Sequence, residues 1–356
     1  MTARADATAV PRTRRGVHPA RVPIAVSSAL LLAAMVLAMA IGPVGEPIGA
    51  VVGTVLSHIP LIGYHTSTSP TDQAIVWDLR LPRVVLAGLV GAMLSAGGAS
   101  YQGVFRNSLA DPYLLGAAAG AGLGATIAIV AGGRGSLVLP AAAFAGAVVA
   151  VTMTYVVAAA GGGQSAGYAI VVAGIAVTGI FTAVQTYLQQ QNVEEIRQIY
   201  NWLLGSFSNA EWSDVRLVLP YLVVSAAVLL AHRRILDVLR VGADEAGALG
   251  IHPERTRLLI VGAATLGTAA AVSVSGLIGF VGVIVPHAVR LLAGASYRVV
   301  LPVAMLCGAA FMVLADLLAR TVQSPSELPI GVVTAAIGGP FFLLVLRSRR
   351  TRQGVL

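Results

Sequence analysis

Ten apolar stretches between Val22 and Leu346, each long enough to cross a bilayer, constrain the fold of this chain more than any other feature. A spanning helix needs about 20 mostly apolar residues. With a mean hydropathy of +0.84, the chain has more apolar surface than a soluble fold could bury. The sequence therefore predicts an all-α polytopic membrane protein of about ten transmembrane helices. The predicted spans are 22–42, 84–104, 113–132, 137–160, 168–190, 215–232, 256–275, 277–293, 299–318 and 328–346.

The arginines indicate the orientation of these spans, because they crowd onto alternate connections. If the N-terminal tail is cytoplasmic, 17 of the 23 arginines fall on the cytoplasmic side, as the positive-inside rule requires. We therefore expect a multi-pass plasma-membrane protein with both termini in the cytoplasm. The expected division is a cytoplasmic tail at 1–21, one ten-helix domain at 22–346 and a second tail at 347–356. Residues 233–255 form the substantial internal connection on the cytoplasmic side.

Several classes of chemistry are excluded by what the chain lacks. It contains no lysine, whereas a Walker A loop ends in Gly-Lys-Ser/Thr and a Schiff-base enzyme needs an amine. Its single cysteine, Cys307, permits no internal disulfide, and no His/Cys/Asp cluster has the spacing of a metal site. No catalytic constellation is evident, and the dispersed arginines form no patch for nucleic acid. We expect no enzyme, no nucleic-acid partner, and no metal or cofactor bound by this chain.

Five motifs give the sequence a specific resemblance. They are Leu79–Arg83 (LRLPR), Tyr101–Gly116 (YQGVFRNSLADPYLLG), Asn201–Ser206 (NWLLGS), Gly279–Arg290 (GFVGVIVPHAVR), and Glu327–Thr334 (ELPIGVVT) with Gly338–Phe342 (GGPFF). In this order they resemble the FecCD or BtuC-like family, the permease subunits of iron-siderophore, haem and vitamin B12 ABC importers. The resemblance covers nearly the whole chain, residues 22–346.

The resemblance implies a BtuC-like (type II ABC importer) fold and a set of partners. A second permease subunit, identical or paralogous, would complete the path for a metal-chelate cargo. Two ATPase subunits would bind ATP and Mg, and an extracytoplasmic binding protein would deliver the cargo. Ferric siderophore is the expected cargo, with cobalamin or haem as alternatives. An ion-coupled secondary transporter is a distant alternative, because the spans carry almost no mid-membrane acid to bind a coupling ion.

Three arginines match the positions through which the family docks its binding protein. Arg80 and Arg83 precede the second span and Arg320 follows the ninth, so the predicted topology places all three outside. A guanidinium is always charged and grips a carboxylate with two hydrogen bonds. The alternative is that these arginines bind lipid headgroups or local acids, such as Asp316 four residues before Arg320.

The cytoplasmic connection contains a segment that matches the family's coupling helix, which sits in a cleft of the ATPase. It reads as a short helix around 244–249, closed by a glycine of the kind that commonly ends helices. The alternative is an ordinary polar turn. The candidate coupling residues are Asp244, Glu245, Ala246, Leu249 and Gly250.

Candidate gate residues follow from the same resemblance. Asn107 and Leu109 align with the family's cytoplasmic gate, and Ser165 stands where family members often carry small hydroxyl residues. Gln185 and Tyr187 of the fifth span either line the path or pack against neighbouring helices.

Overall fold

The computed structural model describes residues 21–42, 47–58, 68–133, 135–160 and 166–353. Every regular element in these ranges is helical, as suits backbone that must satisfy its hydrogen bonds inside a bilayer. The α-helices are α1 (Arg21–Ala40), α2 (Ile48–Ser57), α3 (Pro70–Ala74), α4 (Leu81–Val104), α5 (Ala117–Val130), α6 (Val138–Ala160), α7 (Ala166–Gln191), α8 (Ile196–Leu203), α9 (Trp212–Ala231), α10 (Arg233–Val241), α11 (Ala243–Ala248), α12 (Pro253–Ser275), α13 (Val281–Ala293), α14 (Tyr297–Thr321) and α15 (Ile330–Gln353). A π-helix (Ile75–Arg80) joins α3 to α4, and a 3-10 helix (Pro112–Leu115) precedes α5.

The prediction of a polytopic all-α membrane protein is confirmed. Seven of the described helices are long and apolar enough to cross a membrane: α1, the continuous helix Pro70–Val104, α6, α7, α9, α12 and α14. The remaining three predicted spans coincide with shorter apolar helices, namely α5, α13 and the apolar part of α15. Helix α15 continues to Gln353, past the end of the span predicted at residue 346.

Two predicted spans are short, and the chain enters each of them through a segment that is not α-helical and ends at a residue with positive φ. Helix α5 follows Gly116, whose φ is +83°, and α13 follows Phe280, whose φ is +71°. The two entry segments bond to each other. The Tyr113 hydroxyl donates to the Ile278 carbonyl at 3.0 Å and accepts from the Ile278 N–H at 3.2 Å.

These irregular segments are enclosed by protein. A Cβ on Gly98 of α4 would overlap the Gly282 carbonyl at the start of α13, so the two backbones are in direct contact. The Gln102 side-chain amide donates to the carbonyls of Gly282 (3.1 Å) and Ala110 (3.3 Å). Non-helical backbone is tolerated at membrane depth only where protein buries it or a cavity hydrates it.

Helix α4 is the centre of the bundle and links its two ends. It packs against α9, α12, α13 and α14. Arg83 lies in its first turn, and Gly103, near its last residue, packs against Leu236 of α10 and Tyr297 of α14. At 1.5 Å per residue, these two positions of α4 are about 30 Å apart. The cluster of Arg80, Arg83 and Arg320 (the arginine cluster) and the α10–α11 connection therefore lie at opposite ends of the bundle.

Candidate functional site

Arg83 is the centre of the arginine cluster and holds one carboxylate on each edge of its guanidinium. On one edge, Nε lies 3.0 Å from both carboxylate oxygens of Asp316, and Nη2 lies 2.8 Å from Oδ1. On the other edge, Nη1 and Nη2 donate to the two oxygens of Glu327 at 2.8 and 2.9 Å. Both contacts are bidentate, the strongest geometry available to arginine and carboxylate.

The two carboxylates differ in burial. The Asp316 side chain is 1% exposed, and it also lies 3.8 Å from Nε of Arg320, one turn further along α14. The Glu327 side chain, in the α14–α15 connection, is 34% exposed. Burying a carboxylate is costly unless it is paired and hydrogen-bonded, and Arg83 supplies both kinds of contact to Asp316.

Arg80 and Arg320 point to the end of α1. Arg80 Nη1 donates to the Met39 carbonyl at 2.7 Å, and Arg320 Nη2 donates to the Ala38 carbonyl. The last carbonyls of a helix have no partner within the helix and carry partial negative charge. Both arginines are buried and stabilise the end of α1.

The structure brings the three predicted arginines together at one end of the bundle, but it buries Arg80 and Arg320 instead of exposing them on the surface. Their docking role stays a prediction. The structure also contains the local acid named as the alternative partner, Asp316. Sequence reasoning missed Glu327 as the second partner of Arg83. The available signal was an acid directly before Leu-Pro, in a connection predicted to be outer, with no basic neighbour in sequence.

A cavity of about 900 Å³ adjoins Glu327. It lies between the end of α5, the α8–α9 connection, the end of α12 and the start of α15. Its lining is rich in hydroxyl and amide groups, including those of Asn201, Ser206, Ser208 and Ser275. The carboxylate of Glu327 therefore has a polar space beside it.

At the opposite end, α10 is firmly attached to the bundle. Leu236 and Leu239 are completely buried against α4 and α14. The Asp237 carboxylate accepts from the Ser296 hydroxyl at 2.8 Å and the Tyr297 N–H at 2.6 Å. A displacement of α10 would therefore be transmitted directly to the first residues of α14.

The short helix predicted around 244–249 is present as α11, one residue earlier, at Ala243–Ala248. Gly250 follows it with φ +74°, as the breaker prediction requires. Ala246 is buried and its carbonyl accepts from the Ile251 N–H at 3.0 Å, whereas Leu249 is 69% exposed. Glu245 is exposed, and the Asp244 side chain lies outside the described atoms. The segment thus presents an exposed leucine from a small folded unit.

The candidate gate residues are described only in part. The Asn107 side chain accepts from the Leu109 N–H at 2.9 Å, which fixes a turn at the end of α4, and Leu109 is 56% exposed. Ser165 lies outside the described residues. Gln185 is buried, with its amide beside Gly122 of α5, whereas Tyr187 is 60% exposed. Of the two fifth-span candidates, Gln185 packs between helices, and Tyr187 lies on the surface of the helix bundle.

Comparison with known proteins gives consistent matches. The profile of the FecCD transport family matches residues 30–348. The chain is 45% identical over 282 residues to the cobalamin import system permease protein BtuC of Halobacterium salinarum, covering 79% of this chain and 76% of that protein. It is 39% identical over 307 residues to the hemin transport system permease protein HmuU of Yersinia pestis. This match covers 82% of this chain and 89% of that protein.

A solved structure agrees with these relatives. A chain described as an inward-facing metal-chelate type ABC transporter matches with a TM-score of 0.79 and 29% identity, over 91% of this chain and 98% of that chain. The family profile spans most of the sequence, and the fold is similar to that of the solved metal-chelate transporter. The chain therefore belongs to the FecCD transport family.

Proposed function

We propose that this chain is the permease subunit of a binding-protein-dependent ABC importer of metal chelates. The observation that carries the proposal is the separation of two candidate contact surfaces by the length of α4. The arginine cluster at one end suits a partner that presents carboxylates. The α10–α11 connection at the other end suits a partner that moves it mechanically. The family and the relatives' transport activities support the same assignment.

The proposed orientation follows from the helix directions. Helix α1 packs along α14 and ends at Arg320, while α15 begins beside Glu327. The start of α1 and the end of α15 therefore both lie towards the α10–α11 end. The arginine bias of the sequence favours this end as the cytoplasmic one, so the arginine cluster faces outward, in the plasma membrane of a bacterial cell.

In the proposed mechanism the cargo moves by alternating access between two permease subunits. Two ATPase subunits bind ATP and Mg, and their closure displaces α11 and α10. The Asp237 bonds then carry the displacement to α14, and Leu236 carries it to α4. The binding protein docks on the outer face through Arg83, with Arg80 and Arg320 holding α1 in place behind it.

Two cargoes are candidates. Ferric siderophore is the cargo expected from the sequence resemblance. The relative with 45% identity is a cobalamin permease, and this observation favours cobalamin as the second candidate.

Uptake by cells that lack this chain tests the proposal. Radiolabelled ferric siderophore and radiolabelled cobalamin are offered in parallel, and wild type is returned on a plasmid. The proposal is supported if the cells lose one of the two uptake activities and wild type restores it. A Walker mutation in the co-expressed ATPase should block the restored uptake. The activity that is lost identifies the cargo. Uptake that continues when the ATPase is inactive would contradict the ABC mechanism and favour an ion-coupled carrier.

A further inference from the structure

The guanidinium of Arg83 has no free edge for an incoming carboxylate. Four of its five N–H groups form the two faces that can hold a carboxylate with two hydrogen bonds. Asp316 occupies the inner face and Glu327 the outer one. A docking partner that used Arg83 would have to replace one of them.

Burial decides which carboxylate can be replaced. Asp316 is nearly inaccessible and lies within 4 Å of Arg320 as well, so its removal would leave buried charge without a partner. Glu327 is one-third exposed and lines the 900 Å³ cavity. Its carboxylate can therefore leave Arg83 and remain hydrated.

The backbone beside Glu327 leads directly into α15. Leu328 N–H donates to the Ala319 carbonyl at 2.9 Å, and Ile330 and Gly331 donate to the carbonyls of Gly205 (3.1 Å) and Leu204 (2.9 Å). The ion pair with Arg83 and these three bonds together hold the start of α15. Loss of the ion pair would loosen one of the attachments of this helix.

We propose that Glu327 competes within the chain for the docking site on Arg83, so that docking exchanges Glu327 for a carboxylate of the binding protein. This inference rests on the proposed function, because it requires Arg83 to be a docking residue. In the undocked protein, Glu327 keeps Arg83 neutralised. In the docked protein, Glu327 moves into the adjoining cavity and the start of α15 is released, which carries the docking signal to the helix.

The test uses the complete permease–ATPase complex in lipid nanodiscs and the purified binding protein. Dissociation constants are measured for wild type, Glu327→Gln and the control Asp78→Asn. Asp78 is an exposed acid five residues before Arg83, so its substitution removes the same charge from the same surface without touching the pair. We expect Glu327→Gln to tighten docking roughly tenfold, the equivalent of one charge-assisted hydrogen bond. The control Asp78→Asn should change the dissociation constant less than threefold.

A tightening no larger than that of Asp78→Asn would overturn the exchange. The basal ATPase rate without binding protein is the second readout, and we expect Glu327→Gln to raise it towards the stimulated rate. An unchanged basal rate would overturn the release of α15.

Failure of the underlying function gives a different result. The double variant Arg83→Gln/Asp316→Asn replaces the buried ion pair with neutral amides, and size-exclusion chromatography checks its assembly. If the double variant assembles and binds the binding protein with wild-type affinity, the docking role of Arg83 itself is refuted. If the double variant no longer docks, but Glu327→Gln and Asp78→Asn have equal dissociation constants, only the exchange of Glu327 for a partner carboxylate is refuted.

Discussion

The guanidinium of Arg83 lies edge-on against the carboxylate of Asp316, with Nε 3.0 Å from both oxygens and Nη2 2.8 Å from Oδ1. This pair joins the first turn of α4 to the last turns of α14. It holds the guanidinium of Arg83 in place at this end of the bundle, where Glu327 contacts its other edge. The strength of the pair decides both the stability of this end and the geometry available to a docking partner.

Removal of Asp316 should destabilise the protein strongly. Asp316→Ala leaves the buried Arg83 and Arg320 without their shared carboxylate, and we expect a loss on the order of 3–5 kcal/mol. Asp316→Asn, which keeps a hydrogen-bond acceptor, should lose less. Thermal unfolding of the purified protein measures both. Equal melting temperatures for wild type and Asp316→Ala would contradict the structural role of the pair.

Tyr113→Phe should weaken the contact between the two irregular segments. It leaves the buried N–H and carbonyl of Ile278 without the hydroxyl that binds both, at a cost of about 1–3 kcal/mol. The control is Tyr221→Phe, because Tyr221 is 41% exposed on α9. Thermal unfolding of the two variants side by side checks the prediction, and an equal effect of both would refute it.

Gly120→Ala should separate α5 from α6. An added methyl at Gly120 would overlap the carbonyl oxygen of Gly146, whereas at Gly262 it meets no heavy atom within 4 Å. We expect Gly120→Ala to cost about 1–3 kcal/mol, as overpacking typically does, and Gly262→Ala to raise stability slightly, because alanine favours the helix more than glycine does. The yield of folded protein after size-exclusion chromatography and its melting temperature are the measurements. A stable Gly120→Ala protein would argue against so close a helix contact.

Leu249→Ser should weaken association with the ATPase. Burial of a leucine contributes about 1.5–3 kcal/mol, so we expect roughly tenfold weaker association. Val322→Ser is the matched control, because Val322 is equally exposed (68% against 69%) at the arginine end of the bundle. Co-purification with the tagged ATPase provides the comparison. The coupling role of α11 is wrong if both variants retain the partner alike.

The same two positions test the orientation. In a Cys307→Ala background, a membrane-impermeant maleimide should label Val322→Cys in spheroplasts without an outer membrane. It should label Leu249→Cys only after the plasma membrane is permeabilised. The reverse pattern would invert the proposed topology.

Properties that depend on neighbouring residues along the chain were predictable from sequence. Hydropathy and length determined the apolar helices, since each spanning segment must satisfy its own backbone in lipid. The same local reasoning located α11, because Gly250 can adopt the positive φ that ends a helix.

Properties that depend on distant residues were decided by the tertiary structure. Asp316 and Glu327 are 233 and 244 residues from Arg83, so periodicity does not predict their shared ion pair. The contact between the segments that precede α5 and α13 likewise joins Tyr113 and Ile278, 165 residues apart in sequence. Hydrophobic patterning decides what enters the membrane, whereas paired charges and exchanged hydrogen bonds form only when folding brings remote segments together. For this chain, the sequence determined the class of protein and the positions of the candidate residues, and the fold alone decided which carboxylates Arg83 binds.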